Sequence, residues 1–519
     1  MNRQQFTGLV VVALLALHAS LAVHSLWIKS TTFDESTHLP AGLAFVATGE
    51  VRLNPQHPPL AKLLAGLAAS TLNPALPLDG NAYRQGREWD FGRQVLYESG
   101  NDSMALLRRG RLPIVGLSVL GALGVFLWSR RRHGDGAALV ILAFYALSPT
   151  VLAHARWVTM DAGVTAFAVW TLFLWQCLSD APSRRLGLEL ACGLALGLAL
   201  ATKFSALLLL PGMALAELFV HRQSWRQWQR WRRRCVSWAV ILVTAALVVE
   251  STYLGFHEPF RYWRDLGLVY GDTNPNYSYY LLGEFREGFP HYFLIAMLVK
   301  TTLPGLAVML GGLTLAGIQR RAADLYLVVP AAIWFAVTTA KAAPWGVRYV
   351  LPLYPLLFVL ASALVPWIWK HPQRLARAAI VLLVVAHGSE TLKAHPDYLP
   401  YFNQIAGGPR GGIHWLANSN LDWGQDLYRL PDWLAERGIR SVRLLYFGKG
   451  VPASYGVPED PMYPDDWNVR PRPGVYAISA QSLVRGLSQA DSRGLACDWL
   501  RRYEPVDVLG GSIYLYAFE

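Results

Sequence analysis

Runs of about twenty apolar residues, parted by short polar connections, recur along this chain from its first residues to about residue 390. One such run fills the roughly 30 Å hydrocarbon core of a bilayer as a single α-helix. Lipid offers no partner to a bare peptide group, so helices are the form these runs must take. Eleven candidates stand out: Gly8–Ile28, Leu112–Ser129, Gly136–Leu152, Ala162–Leu178, Leu186–Thr202, Phe204–Val220, Val236–Leu254, Tyr292–Ile318, Leu325–Ala340, Tyr349–Trp369 and Ala378–Gly388. Of the 519 residues 53% are hydrophobic and 16% charged, where a soluble domain carries about a quarter charged. The expected fold is a polytopic α-helical membrane protein of about 11 transmembrane helices over residues 1–390. A small C-terminal α/β domain follows over 391–519.

The net charge of +12 is distributed by topology. Arg130–Arg132, Arg184 and Arg185, the Arg222–Arg234 stretch, Arg320 and Arg321, and Lys370, Arg374 and Arg377 occupy alternate connections. Short cytoplasmic loops collect Lys and Arg, and with Arg3 inside all of these clusters fall on one side. The N-terminus is then cytoplasmic and the tail extracytoplasmic. Arg222–Arg234, interleaved with Trp225, Trp228 and Trp231, reads as an interfacial anchor on anionic lipid, and a nucleic-acid partner is not expected. Cys177, Cys192, Cys235 and Cys497 have neither a disulfide framework nor a metal-ligand spacing. Residues 1–22 resemble a signal peptide, but the apolar run continues to Ile28, so an uncleaved first span is expected.

Three exported segments are long enough to fold: Lys29–Arg111, Gly255–His291 and the tail after Ser389. In the first, Ser36–Gly49 and Pro58–Leu72 have helical spacing and suit helices lying at the interface. The Asn54-to-Pro59 stretch between them is a rigid turn, because consecutive prolines fix φ. In the tail, Gln425–Arg437 has helical character with Asp422 as N-cap. Val442–Phe447, Val475–Ser479 and Ile513–Phe518 read as strands, with Leu483–Leu487 and Leu495–Tyr503 helical between them.

Ionisable residues gather where the spans meet the outer side. Asp34 and Glu35 follow the first span. Arg156 and Asp161 lie between the third and fourth, and Lys203 between the fifth and sixth. Lys300 lies within the eighth, and Lys341 and Arg348 bracket the turn before the tenth. Charges at a membrane edge are costly and mark functional sites; each also has a structural reading, as an interfacial anchor or a helix-start carboxylate. Taken together they would suit a polyprenyl-phosphate sugar. The isoprenoid tail stays in lipid, the phosphate meets Lys and Arg, and the sugar projects toward a carboxylate. Phosphate leaves without protonation, whereas an acceptor hydroxyl needs a general base. Asp34 is the candidate base, and a single in-line displacement inverts the anomeric carbon.

Three local motifs resemble the glycosyltransferase-C (GT-C) superfamily, in the branch of the protein O-mannosyltransferases and phospholipid-carrier-dependent glycosyltransferases (glycosyltransferase family 39 type). They are Asp34-Glu35, His57-Pro58-Pro59-Leu60-Ala61-Lys62, and the Arg156-to-Asp161 stretch. Leu298-to-Pro304, Arg348-to-Pro352 and Ser419-to-Leu427 are similar to recurrent segments of the bacterial members. The resemblance implies a hexosyl- or mannosyltransferase-like enzyme of the bacterial inner membrane. Asp34 and Glu35 would be catalytic, as base and acceptor-side neighbour. Donor and acceptor binding would fall to His57, Arg156, Asp161, Lys203, Lys300 and Arg348. No cofactor is implied, although two carboxylates can hold a divalent ion, as a cation-dependent oligosaccharyltransferase would require. His38 falls one place later than that family's usual histidine, and the loop after the seventh span is too short for a β-trefoil. Gln56-His57 replaces the Glu-Lys of the aminoarabinose transferases, so a lipid A acceptor is not implied. A transporter of lipid-linked sugars would place its charges at the midplane instead. A scaffold with an exported binding tail would leave Asp34 idle. The acceptor, whether glycan, lipid or protein, is not legible.

Overall fold

A computed structural model describes residues 2–222, 228–254, 258–271, 277–370, 374–460, 471–488 and 498–519. Trp225, Cys497 and parts of the Gly255–His291 loop and the Leu495–Tyr503 stretch lie outside them. The bundle is built from α1 (Arg3–Trp27), α4 (Ser103–Ala146), α6 (Asp161–Ser179), α7 (Leu186–Thr202), α8 (Leu209–Val220), α9 (Trp228–Thr252), α10 (Tyr292–Lys300), α11 (Leu303–Gln319), α12 (Leu325–Lys341), α13 (Leu353–Ala361) and α14 (Arg374–Ala394). Two shorter helices, α2 (Glu35–Thr48) and α3 (Leu60–Ser70), follow α1, and a short α5 (Pro149–His154) precedes α6. Among the described residues five helices are long and apolar enough to cross a membrane: Arg3–Trp27, Ser103–Ala146, Asp161–Ser179, Trp231–Thr252 and Ala322–Lys341. Leu186–Thr202, Phe204–Val220, Leu303–Gln319 and Leu353–Trp369 are apolar but shorter.

Several expected boundaries move. Leu112–Ser129 and Gly136–Leu152 stay apart, since α4 is two helices that meet at Gly134, whose φ of 82° is left-handed, but the second ends at Ala146 and Pro149–Leu152 belong to α5. The single span expected over Tyr292–Ile318 is two helices. Thr301 is extended, and Thr302 caps α11 by accepting the Gly305 amide, with Pro304 in the first turn. Proline fits an N-terminal turn because its missing N–H has no partner there anyway. Ala378–Gly388 lengthens to α14.

Glycines set two close crossings. A Cβ on Gly42 of α2 would lie 2.0 Å from the Lys62 carbonyl oxygen of α3, and one on Gly66 would lie 2.4 Å from the Gly42 carbonyl. On α7, Gly193 and Gly197 bring α9 so near that Cβ atoms there would lie 2.8 Å from the Ile241 and Ala245 carbonyls. Helices in lipid associate through this small-xxx-small packing.

The tail carries a five-stranded sheet of order β4-β3-β5-β7-β6, formed by β3 (Val442–Leu445), β4 (Glu459–Asp460), β5 (Gly474–Ser479), β6 (Asp507–Leu509) and β7 (Ile513–Phe518). An outlying hairpin of β1 (Tyr279–Leu281) and β2 (Glu284–Arg286) precedes it. β3 runs parallel to β4 and β5, while β7 is antiparallel to β5 and β6. The tail helix is shorter than Gln425–Arg437: α15 covers Leu430–Glu436. Asp422 caps no helix; its carboxylate accepts the Gly424 and Gln481 amides, each at 3.0 Å. α16 (Ala480–Ser488) covers the expected Leu483–Leu487. Leu416 and Leu421 of the tail enter the bundle core, and Leu430 and Trp433 pack with Phe91 and Val95 of the first long loop. The division at 390/391 falls inside α14.

Candidate active site

The turn after α1 places Asp34 immediately before α2, with its side chain 19% exposed into a cavity of about 890 Å³. That turn is held from behind by the tail. The Ser30 and Phe33 amides donate to the Gln425 and Trp423 carbonyls at 2.9 and 2.8 Å, a short strand-like pairing. The Ser30 hydroxyl donates to the Gly424 carbonyl at 2.9 Å and accepts the Leu427 amide at 3.1 Å. The Ser419-to-Asp426 stretch, dense in polar side chains, is therefore buried structure. Asn420 accepts the Val347 amide (2.9 Å) and donates to Tyr292 (2.8 Å), and Ser419 donates to the Trp345 carbonyl (2.7 Å). These bonds fix the turn that carries Arg348.

Arg348 is the centre of the charge network. Its Nη1 donates to Asp34 Oδ2 at 2.7 Å and lies 3.7 Å from Asp161 Oδ2. Its guanidinium rests 4.4 Å from the centre of the Trp423 ring, and its Nε is buried with no partner among the described residues. Burial works against its charge, but Asp34, Tyr349 and Asp161 together raise the pKa above the ordinary arginine value. Lys203, at the C-terminal end of α7, donates to Asp161 Oδ1 at 2.6 Å and faces the Tyr349 ring at 4.6 Å. Asp161 opens α6, where a carboxylate also favours the positive end of the helix dipole.

His57 and His38 form the opposite wall, their rings edge to face with centroids 5.3 Å apart. His38 Nδ1 lies 2.8 Å from the Val158 carbonyl; that acceptor requires the proton on Nδ1. Desolvation lowers both imidazoles, His57 well below its usual value with His38, Lys203, Lys62 and Arg348 adding to the effect. Both are neutral at pH 7. Lys62 of α3 is buried, donating to the Asn54 and His57 carbonyls at 2.5 and 2.8 Å, and so shapes the Pro-bounded turn. Aromatic side chains complete the cavity: Phe33, Trp89, Trp345, Tyr349, Trp423 and Phe447.

Five of the expected site residues lie outside the cavity lining: Asp161 and Lys203, which reach it through Arg348 and Tyr349, and Glu35, Arg156 and Lys300. Glu35 is fully buried. Its oxygens accept five hydrogen bonds: two from Arg111 (2.8 and 2.7 Å), one from the Val158 amide (2.9 Å), and two from Thr32 (3.1 and 3.0 Å). Burial favours its neutral form, but the Arg111 charge and these bonds hold its pKa below the usual carboxylate value. Arg156 is buried between the Trp157 and Tyr398 rings, donating to the Leu152 carbonyl at 2.9 Å; its Nε and Nη2 have no partner among the described residues. Lys300 donates to the Leu399 and Asn420 carbonyls at 2.6 and 2.7 Å, clamping the end of α10 to the tail. Lys341, at the end of α12, is exposed. Two functional side chains escape the sequence reading. Arg111 sits at the edge of a span on the same side as Asp34, a position that itself signals function. Trp423 carries no such signal. Among the described residues no cluster of three or more His, Cys, Asp or Glu side chains is placed to hold a metal ion.

ArnT from Cupriavidus metallidurans in the apo state superimposes with a TM-score of 0.51 at 15% identity, over 97% of each chain. The chain has the GT-C fold. ArnT bound to undecaprenyl phosphate gives a TM-score of 0.49 at 14% identity, again over 97% of each chain. The archaeal oligosaccharyltransferase AglB from Archaeoglobus fulgidus, in complex with an inhibitory peptide and a dolichol-phosphate, gives 0.49 at 11% identity, over 98% of this chain and 74% of that one. Residues 104–255 match a family model described as dolichyl-phosphate-mannose-protein mannosyltransferase. No curated protein matches the sequence significantly. On this GT-C fold, Asp34 and Arg348 line the cavity, and the ion pairs behind them, Asp161 and Lys203, come from α6 and the end of α7.

Proposed function

We propose that this protein is an inverting glycosyltransferase that moves a hexose from a polyprenyl-phosphate donor to an acceptor hydroxyl. The observation that carries this reading is the juxtaposition at 2.7 Å of a cavity-facing carboxylate, Asp34, and a buried cation, Arg348, with Lys203 beside it. The donor phosphate is taken by Lys203 and Arg348, whose guanidinium can accept a bidentate anion. An apolar groove of about 300 Å³ runs between α10, α11, α12 and α13, walled by Leu298, Met309, Leu327 and Leu357. It suits the isoprenoid chain, and the turn joining α12 to α13 carries Arg348. The hexose then projects into the cavity, and the acceptor enters along the aromatic walls.

In the reaction the acceptor oxygen attacks the anomeric carbon as Asp34 removes its proton, and the C–O bond to phosphate breaks on the opposite face. The phosphate leaves with the bond electrons, held by Lys203 and Arg348. The configuration inverts. Donor phosphate draws Arg348 from Asp34, so the base is released only when a donor is present. Glu35 acts at one remove, with Arg111 and Val158 fixing the Asp34 turn. The site is metal-independent on this reading, because a buried Arg or Lys already neutralises each of the three carboxylates. The working face is extracytoplasmic in a bacterial inner membrane, which the arginine distribution supports.

The test is reconstitution of the purified chain with an undecaprenyl phosphate-linked hexose pool and envelope extract, following transfer by mass spectrometry. Asp34→Asn is expected to lose activity by about 10²–10⁴. Transfer by Asp34→Asn at the wild-type rate would overturn the assignment.

A further inference from the structure

A second pocket, of about 260 Å³, opens at the end of the bundle opposite the active-site cavity. α6 spans the two: Asp161 opens it beside Arg348, and Ser179 closes it at this second pocket. Nineteen helical residues at 1.5 Å each set the two sites about 28 Å apart, the thickness of a hydrocarbon core. The pocket lies between the ends of α6, α8 and α9 and includes part of the arginine-rich stretch that the proposed reaction does not use.

Its chemistry is mixed in sign. Arg234 pairs with Glu217 Oε1, lies 3.4 Å from the Ser179 hydroxyl and contacts His221 Nε2 at 2.8 Å. Arg184 donates to both oxygens of the buried Glu189, which also accepts from Ser237 at 2.6 Å. Arg233 stands exposed at the rim. These three arginines and two glutamates leave one net positive charge. Glu217 is 4% exposed, lines the pocket, and has its Oε2 buried with no partner among the described residues. A buried carboxylate oxygen without a donor is costly and points to a missing cationic or N–H group. Beside the charged rim the wall turns apolar, with Trp175, Trp238 and Ile241.

We propose that this pocket binds the headgroup of a zwitterionic aminophospholipid: a phosphodiester against the arginine rim, and a primary ammonium donating to Glu217 Oε2. An ammonium carries three donors, so it satisfies the orphan oxygen; a glycerol headgroup brings no cation, and a choline headgroup brings no N–H. Trp175 and Trp238 lie where the glycerol and first acyl carbons run, which favours a lipid over a soluble phosphate ester.

Native mass spectrometry of the full-length chain, released from detergent with equimolar dioleoyl phosphatidylethanolamine, phosphatidylglycerol and phosphatidylcholine, tests this. The wild type is expected to retain the ethanolamine lipid about tenfold over the others, the ratio that one charge-assisted hydrogen bond supplies. Glu217→Gln should bring the ethanolamine-to-glycerol ratio toward one. Arg233→Glu, at an exposed position that leaves the core intact, should reduce retention of both lipids. Equal retention of all three lipids by the wild type, an unchanged ethanolamine-to-glycerol ratio in Glu217→Gln, or undiminished retention in Arg233→Glu would overturn the proposal. Displacement of the bound lipid by an equal concentration of soluble glycerophosphoethanolamine would overturn its lipid part.

Discussion

Arg348 faces two carboxylates at once and can satisfy a donor phosphate only by loosening its hold on Asp34. That competition has a measurable consequence. Asp34→Asn, although inactive, is expected to bind undecaprenyl phosphate several-fold more tightly than the wild type. In an Arg348→Gln background the same change should give no such gain, and a double-mutant cycle on the dissociation constants isolates the coupling. Tightening of equal size in both backgrounds would show plain charge repulsion instead. Glu35 differs from Asp34 in kind despite being its neighbour. Its carboxylate is spent on Arg111, Thr32 and Val158, so Glu35→Gln leaves a buried guanidinium underpaired. The expected loss is about 3–5 kcal/mol of stability, read as a lower thermal midpoint in detergent. Donor binding per folded molecule should be retained.

Elements act here by holding turns. α2 and α3 cross at Gly42 and Gly66, and that crossing sets Asp34 against His57. Gly42→Ala forces its methyl into the Lys62 carbonyl and must spread the helices. Transfer should fall well before the bundle unfolds, as activity and thermal midpoint measured together will report. The polar turn at Ser419–Asp426 is the second holding element, and Asp422 gives it a pH signature. Burial pushes that carboxyl up to about 7, against the Gln481 and Gly424 amides, which favour the charged form. A folded pKa above the unfolded one contributes stability that is full below about 4 and is lost as pH rises through about 7. Asp422→Asn should therefore gain on the wild type in thermal midpoint between about pH 4 and 7 and level off above that, and a constant difference across that range would refute the assignment. This turn was legible as unusual from its density of polar residues. Its purpose was not, because the partners of Ser419, Asn420 and Gln425 lie in α10, the α12–α13 turn and the turn after α1.

At the scale of the whole molecule, the tail and the bundle share one body. Lys29, buried after α1, pairs with Asp397 and Asp426, and Arg429 closes the group on Asp397 at 2.9 Å. Core residues cross in both directions, Leu416 and Leu421 into the bundle, and Phe91 and Val95 beneath the tail. A chain ending at Ala394 is therefore expected to lose both transfer and undecaprenyl phosphate binding, since nothing would hold Phe33 or Arg348. Retention of donor binding by that truncation, measured on purified protein, would show that the tail is dispensable to the site.

Apolar run length determined by itself that this chain is a helical bundle in lipid, because hydrocarbon leaves the backbone no alternative. A short run of aromatic and aliphatic residues likewise marked β7 to the residue. Charge at the ends of the runs marked Asp34, Asp161, Lys203 and Arg348, since an ionised group there needs a reason to exist. What only the tertiary structure decided is which of those charges face a cavity and which are consumed as struts. Asp34 and Glu35 are adjacent in sequence and identical in charge, yet one faces open space and the other is enclosed by Arg111. Pairing across 76 residues depends on how helices cross, and crossings are set by packing against distant partners. The break at Thr301–Thr302 was hidden for the same reason: local composition favours continuing a helix, and contacts from elsewhere end it.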